Sequence, residues 1–107
     1  MTLISNAKTV SRELGSVWSS IAATKGLTVE FSYRLDKLCQ RLDTIADKIF
    51  MKTVKAQHIL TECAQLTGQF TSVLDKSQDA ALRLLTQIEG HMDHLVKETH
   101  EFRIKAG

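Results

Sequence analysis

His91, His94 and Glu98 stand at i, i+3 and i+7, a spacing that lines side chains along one side of a helix and could begin a metal site of the kind helical bundles build. Bundle sites recruit ligands from several helices. Outside the stretch 91–100, which also holds His100, only His58 adds an imidazole, and the acids between Val29 and Leu74 fall mainly at outward heptad positions. A solvated polar face is therefore the preferred reading, with no metal ligands and no cofactor. Cys39 and Cys63 have no CxxC spacing and no histidine at metal distance. They read as reduced core residues of a protein in a reducing, cytoplasmic compartment. The chain has no glycine-rich phosphate loop, no Ser, His and Asp or Cys and His constellation, and no carboxylate pair held in a recognisable pocket. Catalytic residues are accordingly none, and neither an enzyme nor a small-molecule substrate is expected.

The second chemistry the sequence offers is cationic. Arg34, Arg41, Lys48 and Lys55 recur once per heptad, with Lys37 and Lys52 on neighbouring rows. A stripe of this kind can track a phosphate backbone, an anionic membrane surface or an acidic helix. Residues 31–60 hold six basic and three acidic side chains, whereas 61–101 hold three basic and seven acidic, so the two stretches attract one another. Asp75, Asp79, Glu89, Asp93, Glu98 and Glu101 supply the acids. With a pI near 8.6 and neither an arginine-rich arm nor interleaved aromatics, pairing within the assembly is preferred. A nucleic-acid-associated bundle is the alternative, and a metal-binding bundle a distant third.

The elements that must position these residues are helices. Counting from Leu3 in steps of four and three, 18 of 21 heptad a and d positions are apolar, and the 107 residues include no proline. That is the pattern of helices packing on helices. The seam includes Phe31, Leu35, Leu38, Leu42, Ile45, Ile49, Ile59, Leu66 and Phe70, which are the candidate partner-binding residues. Ile4, Trp18, Cys39, Ala46, Leu60 and Leu74 at e widen it to the a/d/e face of bundles with three or more helices.

The seam fails at Thr24, Thr28 and Lys52. Thr2 or Ser5 can open a first helix, Lys25-Gly26 can close it, and Thr28 can cap the next. The serine- and threonine-rich residues 1–25 are weakly similar to an organellar transit peptide, but their apolar positions carry the seam, and the structural reading is preferred. Around Lys52 the segment 48–58 contains no Gly, Pro, Asn or Asp, and the register resumes in phase at Ala56. One helix from Val29 to Leu74, about 47 residues and about 70 Å long, is therefore expected. Asp75–Asp79 marks a second turn, after which the stripe resumes one residue out of phase at Ala81, Leu85, Ile88, Met92, Leu95, Thr99 and Phe102.

The fold class expected is all-α, a single helical domain over residues 1–107: a long-helix hairpin or three-helix bundle around that central helix. The alternative is an up-and-down four-helix bundle with a loop near Lys52. Two outer helices of half its length would not cover a 70 Å helix. The functional expectation is thus a non-catalytic assembly subunit, a scaffold, adaptor or export-type chaperone, that packs coiled-coil fashion on itself or on a helical protein partner. No apolar run reaches the roughly 18 residues of a membrane span.

Overall fold

The computed structural model describes residues 6–106, with side chains from 9 to 102. The capping residues Thr2 and Ser5 and the seam positions Leu3, Ile4 and the Ala7 side chain lie outside the described residues. Four α-helices follow one another: α1 Asn6–Ala22, α2 Val29–Ile45, α3 Val54–Val73 and α4 Gln78–Ala106. A 3₁₀ turn, Ile49–Lys52, lies between α2 and α3.

The first and last turns follow the expected chemistry. Gly26 takes a φ of 95° after α1, a left-handed conformation that glycine adopts without steric cost. Thr28 then caps α2, its hydroxyl accepting from the Phe31 amide. Ser77 does the same for α4 by accepting from the Ala80 amide at 3.2 Å.

The expected 47-residue helix is not formed. It breaks after Ile45, passes through Lys48 and Thr53 in extended conformation, and restarts at Val54. Thr53 makes the restart possible, because its hydroxyl accepts from the Ala56 amide at 3.1 Å and donates to the Phe50 carbonyl at 2.7 Å. Thr53-Val54 thus repeats the Thr28-Val29 cap. The physical reason for the break is burial: reversal lets α3 and α4 cover the apolar faces of α1 and α2, which a rod would leave in water. Inside the turn, Phe50 and Met51 point inward at 4% exposure each, while the seam residue Ile49 is 68% exposed and Lys52 is exposed.

α1 packs on α2 and on α3, and α4 packs on α3 and on α2, so α1/α4 and α2/α3 occupy the diagonals. Sequential helices run antiparallel: the Ser32 hydroxyl donates to the Ala22 carbonyl and the Cys39 thiol to the Gly15 carbonyl. Arg34 pairs with Glu89 and Arg41 with Asp93, so both numbers rise together and α2 runs parallel to α4. The molecule is therefore two antiparallel hairpins laid face to face, with the 45–54 connection crossing the bundle diagonally at one end. The 3₁₀ turn plugs that end, where Phe50 meets Phe102 with ring centroids 5.7 Å apart.

One core fills the space between the hairpins, running from Leu14, Trp18 and Ile21 through Leu35, Leu38 and Leu42 to Leu60, Phe70, Leu85, Ile88 and Met92. At its centre the Trp18 indole N–H donates to the Thr67 hydroxyl at 3.1 Å, and that hydroxyl donates to the Cys63 carbonyl at 2.7 Å. Among the described residues no buried side-chain nitrogen or oxygen lacks a hydrogen bond.

Candidate functional site

Helix geometry decides what each sequence candidate can do. Of the nine seam residues named as partner contacts, Phe31, Leu35, Leu38, Leu42, Ile45, Ile59 and Phe70 are buried in the chain's own core, Leu66 is half-buried and Ile49 is exposed. The apolar face that a rod would have offered to another subunit is covered from within.

The cationic stripe lies where parallel α2 and α4, and antiparallel α3 and α4, bring opposite charges together. Arg34 donates from Nε to Glu89 Oε2 at 2.8 Å and also reaches the Thr86 hydroxyl and Glu30. The hydrogen bond with Glu89 raises the Arg34 pKa above its ordinary value, against the opposing effect of burial. Arg41 pairs with Asp93, and Lys55 Nζ lies 3.0 Å from Glu98 Oε1. The hydrogen bond from Lys55, aided by its charge and by His94, holds the Glu98 carboxyl below its usual range. Lys48 stays exposed beside the 3₁₀ turn, and Lys37 Nζ sits 5.6 Å from the centroid of the Tyr33 ring.

The histidines spread over the α3/α4 face. His58 and His91 approach opposite oxygens of Glu62 at 3.6 and 3.7 Å, and His94 approaches Glu98 at 3.4 Å. Among the described residues no three His, Cys, Asp or Glu side chains converge to hold a metal ion. Both cysteines are free thiols. Burial pushes the Cys63 thiol up to about 12, with Glu62 adding to the effect. Cys39 is half-buried at the wall of a groove of about 320 Å³ between α1 and α2, lined also by Ser11, Gly15, Ser19 and Asp43. Its pKa is raised chiefly by burial, and the Ser19 hydroxyl, 3.5 Å away, opposes the rise.

The apolar seam gives no sign of one outer surface. Residues 14–24 and residues 63–74 contain no Asp, Glu, Lys, Arg or His. The hydrogen bond between Trp18 and Thr67 joins the middles of these runs, so α1 and α3 carry them side by side at one height. The exposed residues are small and neutral: Val17 (40% exposed) and Ser20 on α1, Thr24 just beyond it, and Ala64, Gly68 and Thr71 on α3. Gly68 is a helix-interior glycine at which an added Cβ would meet nothing within 4 Å, so packing inside the chain does not require it. A count of ionisable residues along the sequence shows both runs, but only the fold shows that they adjoin.

No protein-family model matches the chain, and no solved structure matches it. Residues of the chain are 34% identical over 74 positions to the mouse (Mus musculus) fibrinogen C domain-containing protein 1, and 33% identical over 72 positions to the human (Homo sapiens) protein. The alignments take in 64% and 62% of this chain but only 16% of each relative, so the chain spans about one sixth of their length. This likeness corrects the expected location: a cytoplasmic compartment conflicts with similarity to fibrinogen C domain-containing proteins. Isolated cysteines are a poor guide to compartment, because a buried free thiol such as Cys63 packs as a small apolar residue in any compartment. Within the described residues no helix is long and apolar enough to cross a membrane.

Proposed function

We propose that the chain is a non-catalytic helical assembly module, of scaffold or adaptor type, that acts by packing the outside of its bundle against a helical protein surface. The observation that carries this reading is the charge-free flank of α1 and α3. In a chain that is 24% charged, the two runs 14–24 and 63–74 carry no acidic or basic side chain, and charge depletion marks the centre of protein interfaces. Similarity to segments that make up one sixth of longer proteins supports the same modular reading. The alternative of nucleic-acid binding is weakened by geometry, since Arg34, Arg41 and Lys55 already face Glu89, Asp93 and Glu98. The deciding experiment is light scattering with sedimentation of the purified chain. A mass above that of the 12.0 kDa chain, insensitive to nuclease, supports the module. A monomer at every concentration, with binding to nucleic acid that falls steeply as salt rises, would replace it with the alternative.

A further inference from the structure

We infer that the connection between α2 and α3 is a hinge through which two copies of the chain exchange their α3–α4 hairpins, giving a domain-swapped dimer in which α2 runs straight into α3. The inference uses the interior of the bundle and is independent of the uncharged flank.

Of the three connections between helices, this one alone is built to straighten. The α1–α2 connection holds Gly26 at a φ of 95° and two of the three seam failures, Thr24 and Thr28. The α3–α4 connection shifts the apolar stripe by one residue. Across 46–53 the register stays in phase, from Ile45 to Ala56 and Ile59, and the segment has neither glycine nor proline. None of its residues has a positive φ. Ala46 is already helical, with φ −57° and ψ −34°, and Ile49–Lys52 form a 3₁₀ turn. The break lies at Lys48 and Thr53, whose φ values of −71° and −83° suit a helix and whose ψ values of 147° and 158° do not.

Straightening gives up burial at one place and returns it at another. Phe50 and Met51, 4% exposed each in the turn, would take the outward b and c positions of a straight helix. Ile49, 68% exposed in the turn, would take the a position. The pairs that join the two hairpins lose nothing, because a second copy supplies the same partners. Those pairs are Trp18 with Thr67, Phe31 with Phe70 at a centroid distance of 6.1 Å, Arg34 with Glu89, and Arg41 with Asp93. Exchange therefore turns on the hinge and on concentration. Phe50, seated on Phe102, is the latch that keeps a dilute chain closed.

Refolding the full chain from guanidinium at about 1 and about 300 µM, followed by size-exclusion chromatography with light scattering, tests the inference. The wild type should be monomeric at the lower concentration and partly dimeric at the higher. Phe50→Ala, which removes the latch, should raise the association constant about tenfold. Val54→Pro should abolish the dimer and keep the circular-dichroism melt. Val54 is the first residue of α3, is 86% exposed and follows an extended Thr53, so proline fits the closed form. Inside a continuous helix the same proline removes a hydrogen bond and clashes with the preceding turn. Spin labels at Asp36 and Gln65, in chains diluted with unlabelled copies before refolding, should read the roughly 43 Å of one straight helix in the isolated dimer. Wild type and Phe50→Ala both monomeric at the higher concentration would overturn the exchange. So would a within-chain distance in the dimer as short as in the monomer. A dimer that survives Val54→Pro would also overturn it and would assign self-assembly to an outer surface of the bundle.

Discussion

The three residues Trp18, Thr67 and Cys63 set the polar centre of the core, because their hydrogen bonds place three polar atoms among buried side chains. Thr67→Val would keep the shape and leave the Trp18 N–H without an acceptor in a site where Trp18 is 0% exposed. We expect a loss of about 2 kcal/mol in urea unfolding. Thr71→Val, which removes a more exposed hydroxyl bonded to the Thr67 carbonyl at 2.9 Å, should change stability by less than about 0.5 kcal/mol. Cys63 makes a pH prediction with a definite sign. Its folded pKa of about 12 lies above the ordinary thiol value of 9.0, so between those values the folded state holds a proton that the unfolded chain releases. Stability contributed by this group is complete below pH 9 and falls as pH rises towards 12, by about 1 kcal/mol per pH unit. Comparison with Cys63→Ala isolates the effect, since the variant lacks that slope. In the native protein at pH 8, Cys63 should also resist thiol reagents until the chain unfolds.

At the scale of elements, the junction between α2 and α3 separates propensity from packing. Nothing in 48–58 breaks a helix by composition, and the decisive features are a threonine that caps and an aromatic that plugs. Thr53→Ala removes both the bond from the Ala56 amide and that to the Phe50 carbonyl, and should cost about 1 kcal/mol. Phe50→Ala empties a buried site against Phe102 and should cost about 3 kcal/mol, read by guanidinium unfolding. A double-mutant cycle with Phe102→Ala should return a coupling of about 1 kcal/mol for the ring pair. The cap at Thr28 and the turn at Asp75–Asp79 were legible in the sequence because turn residues mark both. Capping at Thr53 was not, because the apolar register resumes in phase beyond it and mimics an unbroken helix.

For the whole molecule, the contrast between rod and bundle is a matter of size. The bundle extends 45 × 30 × 20 Å with a Cα radius of gyration of 14.0 Å, so a helix of about 70 Å does not fit within it. Small-angle scattering of the monomer should give a radius near the bundle value, and spin labels at Asp36 and Gln65 should lie well short of the roughly 43 Å that an unbroken helix would set. What the sequence determined by itself was local: all-helical structure from a seam of period 3.5, two capped turns, and the attraction between the basic stretch 31–60 and the acidic stretch 61–101. Those pairings appear as Arg34 with Glu89, Arg41 with Asp93 and Lys55 with Glu98. Only the tertiary structure decided where the seam is spent and which surface remains. Periodicity records that a face must be buried and is silent on whether the same chain or another covers it. Chain reversal at 46–53 gave that face to the core, and by setting α1 beside α3 it joined two uncharged runs 49 residues apart at Trp18 and Thr67 into one surface.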